Sequence, residues 1–158
     1  MVARARLKPG DFERLRRRLN DTIPEAVREE VEKAIVQGAE EIADTARRFA
    51  PERSGNLKKS IVVTKPGHST PAHSQPGGTK TVGPLSAAVT AGNSDVRYAH
   101  LVEYGTKPHE VGGIFEGAQH PGSVARPFFW PAYRLHRKKV KARVKRAIGK
   151  ALRKKSGV

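Results

Sequence analysis

The chain has 158 residues, with 31 Lys and Arg against 15 Asp and Glu, for a formal charge of +16. Hydrophobic residues make up 37% and aromatics 6%, lean but sufficient for one small domain burying roughly 70% of its unfolded surface. No apolar run approaches a membrane span, Met1 to Gly10 is basic without a signal-peptide core, and the lack of cysteine excludes disulfides, thiolate zinc sites and cysteine nucleophiles.

In chain order, Gly10-Asp11-Phe12 opens a short basic helix in which Phe12, Leu15 and Leu19 fall on one face, ending near Asn20. Thr22 and Glu25 then fit a capping box, which predicts a long helix to about Phe49. Val27, Val31, Ala34, Ile35, Ile42, Ala46 and Phe49 build its apolar stripe, with the glutamates largely off it, and Pro51 stops it. After a turn at Ser54-Gly55, the β-branched run Ile61 to Thr64 predicts a strand, and Ser86 to Ala91 a weaker one that pairs with it as an antiparallel hairpin.

Between these strands, 13 of the 19 residues from Pro66 to Pro84 are Pro, Gly, Ser or Thr, and only Ala72 and Val82 can contribute to a core, so the segment reads as a flexible loop. Tyr98 to Tyr104 predicts a short helix with Tyr98, Leu101 and Val102 on one face, closed by Gly105 as a left-handed residue. Residues 107–125 read as irregular, although Val111, Ile114 and Phe115 can make a short strand or an anchor. The final helix starts at Pro131 and runs to about Leu152, leaving 153–158 as a basic tail. Its stripe of Tyr133, Val140, Val144, Ala147, Ile148 and Ala151 is narrow, and Arg137 intrudes on it.

The charge is concentrated at this end: residues 126–158 hold 13 basic residues and no acid. Like-charge neighbours such as Lys139 with Arg143, Lys141 with Lys145, and Arg146 with Lys150 destabilise an isolated helix, so something acidic must lie beside it. The partner is the glutamate face of the long helix, a neighbouring subunit, or a polyanion. Arg137, Lys138, Lys139, Lys141, Arg143, Lys145, Arg146 and Lys150 are the candidate contacts for DNA or an acidic partner. No helix-turn-helix, zinc-knuckle or aromatic-strand signal accompanies them, so any DNA contact is expected to be nonspecific.

Catalytic signals are sparse. His68 and His73 fall in the loop, and His100 and Glu103, with His109 or His120, are the one combination able to form a metal site, without a supporting metalloenzyme spacing. No nucleotide-phosphate motif and no nucleophile elbow is present. The reading is of a protein that is not an enzyme and carries no cofactor and no metal.

Three ordered segments point to a family. Ala50-Pro51-Glu52-Arg53-Ser54-Gly55-Asn56-Leu57-Lys58-Lys59-Ser60-Ile61, Tyr98-Ala99-His100-Leu101-Val102-Glu103-Tyr104-Gly105-Thr106 and Arg126-Pro127-Phe128-Phe129-Trp130-Pro131-Ala132 together resemble the neck or tail-completion (head–tail joining) proteins of long-tailed bacteriophages. Gly10 to Leu15 is similar to the opening short helix of that family, while the 66–84 loop and the glycine-rich stretch before Arg126 depart from it. The resemblance implies one α+β domain over 1–158, a small antiparallel β-sheet packed by a long N-terminal helix and a basic C-terminal helix with a short helix between. It also implies a homo-oligomeric ring of six copies at the head-proximal end of the tail, contacting the tail tube protein and a head connector or head-closure protein. Such a ring sits in the virion after assembly in the bacterial cytoplasm, without a membrane, and leaves a channel in which DNA is contacted nonspecifically. Tail-completion, tail-terminator and head-closure positions share these features. Arg53, Ser54, Gly55, Leu57, Tyr98, Glu103, Gly105, Thr106, Phe128, Phe129 and Trp130 carry the motifs, as residues that fix the fold more than they touch partners.

Overall fold

Apolar residues three and four apart produce two long helices, and their packing organises everything else. The computed structural model describes residues 25–113 and 116–156. The short helix expected over Gly10–Asn20, the capping residue Thr22, and Ile114 and Phe115 lie outside the described residues. Helix α1 spans Glu25–Phe49, α2 Asn56–Lys59, β1 Val62–Thr64, β2 Ala88–Thr90, α3 Ala99–Tyr104, β3 His109–Val111, β4 Ala118–His120 and α4 Phe129–Ser156. The fold is α+β, with a long helix, a short helix and a basic terminal helix in the expected order. It carries two small antiparallel sheets where one was expected.

Helices α1 and α4 run along each other as the principal contact of the fold. Gly38 makes this approach close: a β-carbon there would meet Val140 Cγ1 at 2.5 Å. The buried face of α4 is rotated from the expected stripe. Phe129, Ala132 and Ala151 are buried, and His136, Val140, Arg143, Val144 and Ala147 are half-buried, whereas Tyr133 and Ile148 are 42% and 41% exposed. Arg143 and His136, and not Arg137, are the polar residues that interrupt the packed face. A stripe of apolar residues alone does not capture this rotation, which brings Arg143 onto Glu41 and His136 onto Thr45. The helix continues through Ser156, so most of the expected tail is helical.

The predicted hairpin forms, with Val62 opposite Thr90, Val63 opposite Val89 and Thr64 opposite Ala88. Its connection is more structured than its composition implied. Gly67 N–H donates to Val82 O and Val82 N–H to His68 O, each at 2.8 Å, while Thr70 Oγ1 donates to Gly78 O at 2.6 Å and accepts from Lys80 N–H at 2.8 Å. Gln75 and Ala91 exchange N–H···O bonds at 2.8 and 2.9 Å, which lays the loop beside the end of β2. Ser74 and Thr70 are buried with Val82, whereas Ala72 is exposed. Polar side chains that hydrogen-bond to nearby backbone let a Pro/Gly/Ser segment order without a large apolar core.

The second sheet lies within the stretch read as irregular: His109 pairs with His120, Glu110 with Gln119 and Val111 with Ala118. Val111 therefore does belong to a strand. In α3 the buried residues are Ala99 and Glu103, while Tyr98 and Leu101, expected on the packed face, are 39% and 40% exposed. Gly105 closes the helix with its N–H on Leu101 O at 2.8 Å, at φ 73 and ψ 179, an extended positive-φ conformation and not the left-handed helical one expected.

Candidate assembly surface

The three sequence blocks converge. Ala50, Leu57 and Ile61 from the first, Ala99 from the second, and Phe128, Phe129 and Ala132 from the third lie in a single buried cluster with Ala43, Ala46, Ala91 and Val96. In the first block, Gly55 turns the chain at φ 75 and Ser60 Oγ, buried, donates to Leu57 O at 2.7 Å and accepts from Gly92 N–H at 3.0 Å. Arg47 donates to Ile61 O through Nε and Nη2, at 3.1 and 2.7 Å. Arg53 and Ser54 are exposed and stand apart from the other motif residues.

The second and third blocks are joined by Glu103. Its buried carboxylate accepts the backbone N–H groups of Phe128 and Phe129 at 2.8 Å each and of Trp130 at 3.1 Å. The first turn of a helix leaves such groups without partners, and an anionic acceptor there also meets the positive end of the helix dipole. Thr106 supports the junction by exchanging backbone bonds with Ser123 at 3.0 and 3.1 Å, and Arg126 N–H reaches Val102 O at 2.8 Å. A β-carbon at Gly105 would lie 2.5 Å from Ser123 O, so this approach requires glycine.

Around the buried junction lies an exposed aromatic ledge. Trp130 Nε1 donates to Tyr104 Oη at 2.5 Å, and the Trp130 and Tyr133 rings meet edge to face at 5.8 Å between centroids. Tyr104 is 66% exposed. Pro76, Phe129 and Trp130 line two open apolar hollows beside this ledge, one reaching His100 and Tyr104, the other Ile35 and Val140.

The candidate cations separate into two groups. Arg143 hydrogen-bonds Glu41, Lys139 Nζ lies 3.4 Å from the same carboxylate, and His136 Nδ1 lies 3.9 Å away while its Nε2 shares a 2.8 Å bond with Thr45 Oγ1. The Arg143 hydrogen bond, reinforced by Lys139, holds the Glu41 carboxyl below the usual glutamate range against the opposing effect of its partial burial. One glutamate of α1 thus provides part of the acidic partner expected for this helix. Arg146 and Lys150 border an open hollow with Glu30, Lys33 and Gln37. Arg137, Lys138, Lys141 and Lys145 are exposed and make no ion pair among the described residues.

Sequence reasoning offered the glutamate face of α1 as a partner without choosing Glu41 from it, and did not single out Thr45, His136, Gly38 or Arg134. An Asp/Glu on one helix matched against basic positions on another has no sequence signature of its own. His100 is exposed, the two carboxylate oxygens of Glu103 are occupied by backbone N–H groups, and His109 and His120 stack across their hairpin at 5.0 Å. Among the described residues, no three His, Asp or Glu side chains gather as a metal site would need, and no helix is long and apolar enough to cross a membrane.

The sequence model of one protein family, described as "Bacteriophage HK97-gp10, putative tail-component", matches residues 13–105. This is more than half of the chain, and the chain belongs to the HK97-gp10-like family of bacteriophage tail components. It is a structural tail protein of a bacteriophage particle. The matched stretch contains the first block and all of the second except Thr106, ending at Gly105, two residues after the glutamate that caps the third. No curated protein and no solved structure matches the chain.

Proposed function

We propose that this subunit closes a ring with its own copies, six in number, at the head-proximal end of a phage tail. There it completes the tail tube, offers a surface to the head connector or head-closure protein, and leaves a channel for the genome. Its role is structural, with no reaction catalysed. The observation that carries this reading is family membership together with the meeting of all three motif blocks in one core, so the motifs specify a shared subunit shape. Tyr98, Leu101, Tyr104, Tyr133, Leu135 and Ile148 remain substantially exposed, as befits a protomer whose neighbours cover part of its surface. On this reading Gly55, Leu57, Glu103, Gly105, Thr106, Phe128 and Phe129 hold the protomer's shape, the exposed Arg53 and Ser54 belong to the turn beside Gly55, and Tyr98 and Trp130 border the protomer's contacts.

The test is the mass of the purified chain by light scattering, alone and after mixing with tail tubes or connectors, and its position in particles by labelled electron microscopy. Closed rings localised at the neck are expected. A chain that stays monomeric in both mixtures and is absent from particles would overturn the proposal.

A further inference from the structure

We infer that one face of α4, formed by Arg134, Arg137, Lys138, Lys141 and Lys145, is a docking strip for the phosphate backbone of duplex DNA. The inference goes beyond the ring reading and does not require it. Residues three and four apart share a helix face, so these five cations form one row. At 1.5 Å per residue the row spans roughly 17 Å. One strand of a duplex presents about five phosphates over that length of axis, at about 3.4 Å per charge. The five side chains are exposed and have no acidic partner among the described residues. Glu41 takes Arg143, Lys139 and His136, which at 3.6 residues per turn lie on nearly the opposite side of the helix.

Charge conservation favours a nucleic acid over a second copy as the occupant. The outer face of α1 carries Glu25, Glu29, Glu40 and Asp44, but Asp44 already pairs with Arg47 at 2.7 Å, and Lys33 lies 4.0 Å from Glu29. Contacts between copies can pair charges, yet every copy still contributes +16, so self-association compounds the repulsion that an external polyanion relieves. The row is continuous, free of acids and lacks a base-reading motif, which fits contact with phosphates regardless of sequence.

The experiment is fluorescence anisotropy of a labelled 20-base-pair duplex titrated with the full chain across a series of salt concentrations. Binding is expected to weaken steeply with salt. In the triple variant Lys138→Gln, Lys141→Gln, Lys145→Gln, the log–log salt slope should shrink by about 2.7, because each phosphate contact contributes about 0.9. A control triple variant, Arg146→Gln, Lys150→Gln, Arg153→Gln, removes the same charge elsewhere and should leave the slope within about one unit of the parent. Absence of binding by the parent chain at 50 mM salt overturns the inference without needing any variant. Equal loss in both triple variants overturns the assignment to this strip. Loss of self-association in the strip variant, measured by sedimentation without DNA, would reassign the row to contact between copies. Ring formation is read separately, so failure here leaves the ring proposal standing.

Discussion

Glu103 and Phe128 are 25 residues apart and are joined by a 2.8 Å hydrogen bond from the Phe128 backbone N–H to the Glu103 carboxylate. The same side chain serves the N–H groups of Phe129 and Trp130, so a residue in the short helix sets where the terminal helix begins. Glu103→Ala would leave three N–H groups without their acceptor in a largely buried junction, and we expect a loss of about 3 kcal/mol. Glu103→Gln keeps one acceptor oxygen but presents an amide N–H₂ to the others, and should recover less than half of that loss. Urea denaturation of the three proteins measures both; a Glu103→Ala protein as stable as the parent would remove the cap from the account.

Glu41 predicts an acid dependence. Its folded-state pKa lies below the unfolded one, so the stabilisation is fully present above the ordinary glutamate value of about 4.3 and disappears as pH falls from there through the lowered folded-state value. The carboxylate is partly exposed, which limits the pair to about 1 kcal/mol at neutral pH. Glu41→Gln should therefore cost stability at pH 7, and its curve should meet that of the parent at strongly acidic pH. Thermal melts from pH 7 to pH 2 check this, and a constant gap across that range would contradict it.

Gly38 predicts an unusual sign. Alanine in a helix interior usually gains up to about 1 kcal/mol over glycine. Here its β-carbon would press on Val140, whose branched side chain cannot swing away within the helix. Gly38→Ala should lose about 1–2 kcal/mol, and adding Val140→Ala should recover part of the deficit by opening the contact. A stabilised Gly38→Ala protein would mean that α1 and α4 separate more readily than their packing implies.

The exposed ledge predicts a separation of folding from assembly. Leu101→Ser changes a residue that is 40% exposed, and Tyr104→Ser one that is 66% exposed and accepts the Trp130 Nε1–H hydrogen bond, so each should cost about 1 kcal/mol or less. On the ring proposal both should lower incorporation into particles, measured by quantitative immunoblot of purified virions. Normal incorporation of both would move the contact surface away from Trp130.

Much of the fold was legible because it is local. The α1 stripe and the β-branched run at Ile61 each announce an element from a few neighbouring residues, although Phe49 at the end of the stripe is 47% exposed and Gly105 closes its helix at a positive φ without the left-handed ψ expected of it. The family blocks were likewise legible as ordered motifs, and the structure brings them into one core. What escaped was non-local or polar. Ser74 is fully buried because its neighbourhood is a hydrogen-bonded turn, which composition reads as loop. Apolar residues alone do not locate the packed face of α4, because Glu41 sits 102 residues from the Arg143 that it orients. Leu101 was expected inside because it is apolar; the six-residue helix instead buries a glutamate, whose carboxylate is more valuable at the head of α4.

The β3–β4 hairpin is exposed along nearly its whole length and pairs mainly with itself, while Thr106 and Ser123 clamp its base. The described strands thus form an arm held to the rest of the fold at that base. An epitope spliced between the exposed Gly112 and Gly113 would serve as a handle for locating the subunit in intact particles.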